Sequence, residues 1–245
     1  MKIKSGIALL FIFLAATSCE KANRFDCFKR SGKPTVVRRE LENFTVLEVT
    51  NNLQTYLIQD SVNFVEIKAG ANLISNVETS VSGQKLVVQN NNKCNFTRSY
   101  KNSIEVYVHF AKLDELIYKG TGAVTSLNSI RNSIFTFNSW DATDSVKLKL
   151  EVPLVYANIH TGVADLIVEG ECEELFAYAR SSGTFRMQKF KCNRLYTNNL
   201  SSSDHYFWVE KKLEALVQYV GNTYYTGQPT EINATVNNKG RLIHL

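Results

Sequence analysis

Val155-Tyr156-Ala157-Asn158-Ile159-His160-Thr161-Gly162 returns as Leu175-Phe176-Ala177-Tyr178-Ala179-Arg180-Ser181-Ser182-Gly183, and again as Leu195-Tyr196-Thr197-Asn198-Asn199-Leu200-Ser201-Ser202-Ser203-Asp204. Each copy is a short alternating strand that runs into a corner of Gly, Ser, Asp or Asn, residues that accept positive φ or bond their own backbone. Working outward, the leading apolar residue falls at Leu113, Ile134, Val155, Leu175, Leu195 and Leu213, at intervals of 21, 21, 20, 20 and 18 residues. A period near 20 with strand alternation predicts an all-β chain wound as a parallel β-helix, a β-solenoid of about 20-residue coils. In such a fold each coil buries its face only by stacking on the next. Helix is a poor alternative, because no i, i+3, i+4 apolar pattern is sustained.

Two positions after each leading residue stand Glu115, Thr136, Ala157, Ala177, Thr197 and Ala215, mostly small. After the corner a second strand carries Val124, Val146 and Leu148, Leu166 and Val168, Phe185 and Met187, and Phe207 and Val209 as inward residues. Six coils about 4.8 Å apart make a rod roughly 29 Å long. Residues 35–110 are also β but less periodic, and read as further coils or as a capping meander, since a bare solenoid end exposes unpaired backbone. Residues 111–245 carry the repeats, and Glu231–Val236 followed by Arg241–Leu245 is expected to close the chain as a hairpin.

The first 18 residues have another purpose. Met1-Lys2-Ile3-Lys4 is basic, Ile7–Ala16 is an apolar run about half the length a bilayer span needs, and Thr17-Ser18-Cys19 follows. Small residues before Cys19 match a bacterial lipobox, so residues 1–18 are expected to be a lipoprotein signal peptide. Cys19 then takes the acyl chains, and residues 19–34 form the tether. Of the five cysteines, four remain in an oxidising compartment. Cys27 and Cys94 both lie in loop-like sequence, which makes a bridge between them the economical reading, worth about 3–4 kcal/mol by chain entropy. Cys172 and Cys192 fall in one column on adjacent coils, either bridged or as two buried thiols.

The formal charge of +5 counts Lys2 and Lys4; without those two the excess is +3. No stretch gathers Lys and Arg on one face, so no nucleic-acid role is expected. No Cys or His pair has metal-ligand spacing, and no metal or cofactor is expected. Asn43, Asn95, Asn199 and Asn233 head Asn-x-Ser/Thr triplets, which are chance matches behind a bacterial lipobox.

Two kinds of site are in view. One position after each leading residue come Phe135, Tyr156, Phe176 and Tyr196, which alternation sends to the outer face, with Phe137 and Tyr178 extending the ladder. An outward aromatic strip can stack sugar rings, anchor a protein partner or pair two copies, or simply stabilise the sheet. The alternative is a carbohydrate-active enzyme, a polysaccharide lyase or glycoside hydrolase, worked by Asp144, Asp165 and Asp204 with His160 or His205 as acid or base. Against it, Asp and Ser at tight corners ordinarily cap their own backbone.

Several stretches resemble the putative auto-transporter adhesin, head GIN domain family. They are Phe44-Thr45-Val46-Leu47-Glu48-Val49, Gln54-Thr55-Tyr56-Leu57-Ile58-Gln59, the turn Gly120-Thr121-Gly122 after Leu113-Asp114-Glu115-Leu116, and a terminal Tyr225, Gly227 and Pro229. Asp141–Asp144 and Ser201–Asp204 depart from the family's glycine turns. The resemblance implies a right-handed parallel β-helix in a secreted, often lipid-anchored protein of Gram-negative bacteria, here held to the outer membrane and facing the periplasm or the surface. It brings no catalytic residue and no known ligand. The expected role is a non-catalytic envelope lipoprotein that binds a glycan or a protein.

Overall fold

The computed structural model describes residues 31–92 and 104–245. The residues of the expected signal peptide, Cys19 lipidation and Cys27–Cys94 bridge lie outside the described residues.

In chain order the elements are β1 (Pro34–Glu40), β2 (Val46–Asn51), β3 (Gln54–Gln59), β4 (Phe64–Gly70), the helical turn α1 (Ala71–Ile74), β5 (Val77–Ser82) and β6 (Lys85–Asn90). After these come β7 (Glu105–Phe110), β8 (Glu115–Gly120), β9 (Val124–Ser126), β10 (Ile130–Arg131), β11 (Ile134–Ser139), β12 (Val146–Glu151) and β13 (Leu154–Ile159). The chain finishes with the long strands β14 (Leu166–Ala179), β15 (Phe185–Asn199) and β16 (His205–Val217), then β17 (Thr223–Thr226), β18 (Glu231–Val236) and β19 (Leu242–His244).

The strands stack in two rows that form a parallel β-solenoid. The first row runs β5, β6, β2, β8, β11, β13, β14, β15, β16, β18; it is parallel from β6 onward, with β5 antiparallel at its edge. The second runs β1, β4, β7, β3, β9, β12, β14, β15, β16, β17, β19, antiparallel across β1, β4 and β7 and parallel thereafter. At about 4.8 Å per spacing the second row is roughly 48 Å long. β14, β15 and β16 each turn a corner and contribute to both rows. The N-terminal residues therefore supply both of the expected alternatives. β2–β3 and β6–β7 are coils, while β1, β4 and β5 run back antiparallel as a cap.

The order of these coils does not follow the chain. β2 lies between β6 and β8, and β3 lies between β7 and β9. The earliest coil is thus inserted between two later ones.

Alternation fills the core. In the first row Phe135, Val155, Leu175, Leu195, Leu213 and Ile232 form one column. Leu116, Phe137, Ala157, Ala177, Thr197, Ala215 and Ala234 form the next. In the second row Val124, Val146, Leu166 and Phe185 stack in register, and Leu148, Val168, Met187, Phe207 and Val209 are buried beside them as expected. Where the first row is small, at Ala177, Thr197 and Ala215, the second supplies Phe185, Met187 and Phe207. Small residues in one row are thus accompanied by large buried residues in the other.

Two expectations are corrected here. Phe135 pairs with Val155 and is fully buried, and Phe137 is buried as well. Neither faces outward, because Phe135, not Ile134, leads its coil, a slip of one residue that reverses both faces. The C-terminal segments do not form a closing hairpin: β18 pairs parallel with β16 and β19 parallel with β17, as one more coil.

Candidate functional site

The outer face of the first row carries the surviving ladder. Its column reads Thr136, Tyr156, Phe176, Tyr196, Glu214, Asn233 on successive coils. The Tyr156 and Phe176 rings are 5.0 Å apart at 17°, and Phe176 and Tyr196 are 4.7 Å apart at 8°. All three side chains are half-buried. Parallel coils bring like residues to the same spot, so flat rings at a 20-residue spacing stack face to face. Phe176 has both faces covered. Beyond Tyr196 the column continues with Glu214 and Asn233, which have no ring, and the Lys212 ammonium lies over the Tyr196 ring instead.

A second column two residues along holds Asn138, Asn158, Tyr178, Asn198, Leu216 and Thr235. Within it Asn158 Nδ2 donates to Asn138 Oδ1 at 3.1 Å, and Asn198 Oδ1 accepts from Gln218 Nε2, outside the column, at 2.8 Å. Between the two columns lies an open trough of about 650 Å³, walled by Phe176, Tyr178, Tyr196, Glu214, Leu216 and Asn233. Lys212, on β16, stands beside the Tyr196 column. Its ammonium group sits 5.9 Å from the Tyr196 ring centre and bridges Glu214 at 2.8 Å and Glu231 at 3.2 Å. Those two carboxylates hold the ammonium well above its ordinary pKa.

Farther toward the N-terminal coils, Trp140 stacks on His160 at 3.9 Å and 11°, and His160 lies 5.8 Å from Tyr178. The His160 Nε2 atom is 3.0 Å from Asn138 Oδ1, and burial lowers its pKa. The Trp140–His160 pair went unread in the sequence, although its 20-residue spacing is the repeat period.

The residues of the catalytic alternative are placed differently. Asp144 Oδ1 accepts the Ser145 amide at 2.6 Å, Asp204 Oδ1 accepts the Asn222 amide at 2.8 Å, and Asp165 accepts the Thr184 amide at 3.2 Å and Arg186 Nε at 2.9 Å. All three serve as corner caps, and none lines the trough. His205 lies in the core, with Nδ1 accepting the Phe185 amide.

Residues 43–229 match the family described as putative auto-transporter adhesin, head GIN domain. The chain belongs to that family. Solved structures agree in fold. A putative adhesin from Bacteroides fragilis superposes with a TM-score of 0.80 at 16% identity, over 88% of this chain and 98% of the other. One from Parabacteroides merdae gives 0.62 at 16% identity, over 88% and 98%. A protein from Parabacteroides distasonis described as a putative lipid binding protein gives 0.65 at 14% identity, over 87% and 97%. No curated protein matches by sequence. A family described as adhesins points to the cell surface or envelope. Among the described residues no helix is long and apolar enough to cross a membrane.

Proposed function

We propose that the protein is a non-catalytic, lipid-anchored envelope binding module whose trough takes a carbohydrate. The observation that carries this reading is the lining of the trough, where the rings of Phe176, Tyr178 and Tyr196 stand beside carboxamide and carboxylate groups. The apolar C–H face of a sugar ring stacks on such a ring, while its hydroxyls find donors and acceptors in Asn158, Asn198, Asn233 and Glu214. The trough falls within the ~300–1,000 Å³ of small-ligand sites, and the absence of a basic patch along it disfavours phosphate-rich ligands. The inner rungs Tyr156 and Phe176 hold the sheet in register, and the terminal rung, Tyr196, lines the trough.

The lipobox at Cys19 and the short apolar run before it support an acyl anchor in the outer membrane, with a Cys27–Cys94 bridge fastening the tether to the first coils. Incorporation of labelled fatty acid that Cys19→Ala abolishes checks the anchor, and non-reducing peptide mapping checks the bridge. Binding is tested on a glycan array with the wild-type protein beside Tyr196→Ala. Wild-type binding that the variant loses supports the trough. Equal binding by both moves the site elsewhere, and no binding by either leaves a scaffolding role.

A further inference from the structure

The two ends of the solenoid are finished in different ways. At the N-terminal end the edge strand β1 begins with Pro34, carries Arg38, Arg39 and Glu40, and runs antiparallel to its neighbour. Beside it α1 plugs the core with Leu73 and Ile74, both buried. Proline, charge and a covering segment are the ordinary defences of a sheet edge. The C-terminal end has few of them. β18 pairs only with β16 and β19 only with β17 among the described residues. β18 contains no proline, and its one charged residue, Glu231, is already paired with Lys212. Among the described residues β18 is the last rung of these apolar columns: Ile232 continues the Leu213 column but is 45% exposed, Val236 continues the Val217 column at 46%, and Ala234 lies between them. Tyr219, Val220 and Leu245 are exposed at the same end.

We infer that this end is a self-association surface, on which two copies pair end to end with β18 antiparallel to β18 about a two-fold axis at Ala234. Side-chain parity decides the register. Only pairings between residues of the same parity keep inward residues inward, and the one centred on Ala234 sets Ile232 against Val236 of the other copy and Ala234 against itself. Both apolar columns then run on into the second molecule, and the small alanine sits where the strands are self-opposed. Charge fits as well. The axis brings each Glu231 to the other copy's Asn237–Gly240 turn, whose charged residue is Lys239. No like charges meet in this register. The contact is one coil in cross-section, so the pair is weak and reversible.

Sedimentation of the purified full-length chain should show the mean mass rising from one chain toward two between about 1 and 100 µM. Ala234→Lys places two like charges on the axis and should weaken association at least tenfold while leaving the melting temperature unchanged. Ala234→Cys, the self-opposed position, should give a disulfide-linked dimer under mild oxidation, whereas Ile232→Cys, which faces Val236, should not. A single-chain mass at every concentration overturns the inference, whether residues 1–30 or another protein covers the end. Equal cross-linking through Ile232→Cys and Ala234→Cys overturns the register and with it the pairing.

Discussion

His205 Nδ1 accepts the backbone N–H of Phe185 at 3.1 Å, tying two neighbouring coils together inside the core. That bond requires an unprotonated Nδ1, and burial pushes the imidazole's pKa down to about 4 from its ordinary 6.5. Above pH 6.5 the folded and unfolded chains carry the same neutral ring. Between pH 6.5 and 4 the unfolded chain binds a proton that the folded chain refuses, so stability falls, by about 3 kcal/mol over that window. His205→Asn keeps an acceptor near the Phe185 amide and removes the titration. Its unfolding free energy should lose about 3 kcal/mol less than wild type between pH 7 and pH 4, measured by denaturant melts; parallel pH profiles would refute the assignment.

The stacked column separates two roles that one substitution each can test. Phe176 is covered on both faces, by Tyr156 and Tyr196. Phe176→Ala should therefore cost about 2 kcal/mol of stability, against about 1 for the terminal Tyr196→Ala. Ligand affinity should follow the opposite order, with Tyr196→Ala the more damaging. Thermal melts and binding isotherms on the same two proteins decide the matter.

Gly170 has φ +117°, and a Cβ there would run into the Leu150 carbonyl oxygen of the preceding coil. Gly83 also has positive φ, +60°, but opens onto free space. Gly170→Ala should lose roughly 2–4 kcal/mol, from backbone strain and collision together, whereas Gly83→Ala should lose about 1. Similar losses at both sites would show that the solenoid corner yields more readily than its packing implies.

Cys172 and Cys192 are register partners on adjacent coils and are free thiols in a buried setting. Cys192 Sγ–H donates to the Trp208 carbonyl at 3.0 Å, and hydrogen bonding to Cys192 together with burial raises the Cys172 thiol well above its ordinary pKa. Neither should react with a thiol reagent at pH 8 in the native protein, and both should react on unfolding. Mass-spectrometric mapping of the labelled positions checks this; prompt labelling of native Cys172 would contradict it.

The second-strand columns were legible because Val146-Lys147-Leu148 and Phe185-Arg186-Met187 alternate apolar with charged residues, which fixes the face. Ile134-Phe135-Thr136-Phe137 is apolar at both ends and in both parities, so alternation alone does not choose its inner face; the pairing of Phe135 with Val155 does. The last coil resembled a hairpin because Asn237-Asn238-Lys239-Gly240 has the composition of a tight turn. Whether the chain then runs antiparallel or completes another circuit is set by the strand it meets, which local sequence does not encode. The trough was only half legible. Tyr178 and Tyr196 stand out by spacing, but the ringless Glu214 and Asn233 beyond Tyr196, and the Lys212 ammonium over its ring, follow only from the register of the coils.

Inserting β2 and β3 between strands that follow them by dozens of residues constrains the order in which the molecule can assemble. The first coil has only one of its two neighbours until Ser126 is available, so the N-terminal region cannot be laid down circuit by circuit as the chain emerges. It must close as a block, at a loop-closure cost for contacts such as Val46 with Glu115. The coils from β11 onward contact only their immediate neighbours and can be added singly. Shortening the chain from the C-terminal side after Val217 should leave a protease-resistant rod, whereas deleting β2–β3 should leave no folded remainder. The protein is in effect a seed of closed topology from which an open-ended filament of coils is grown.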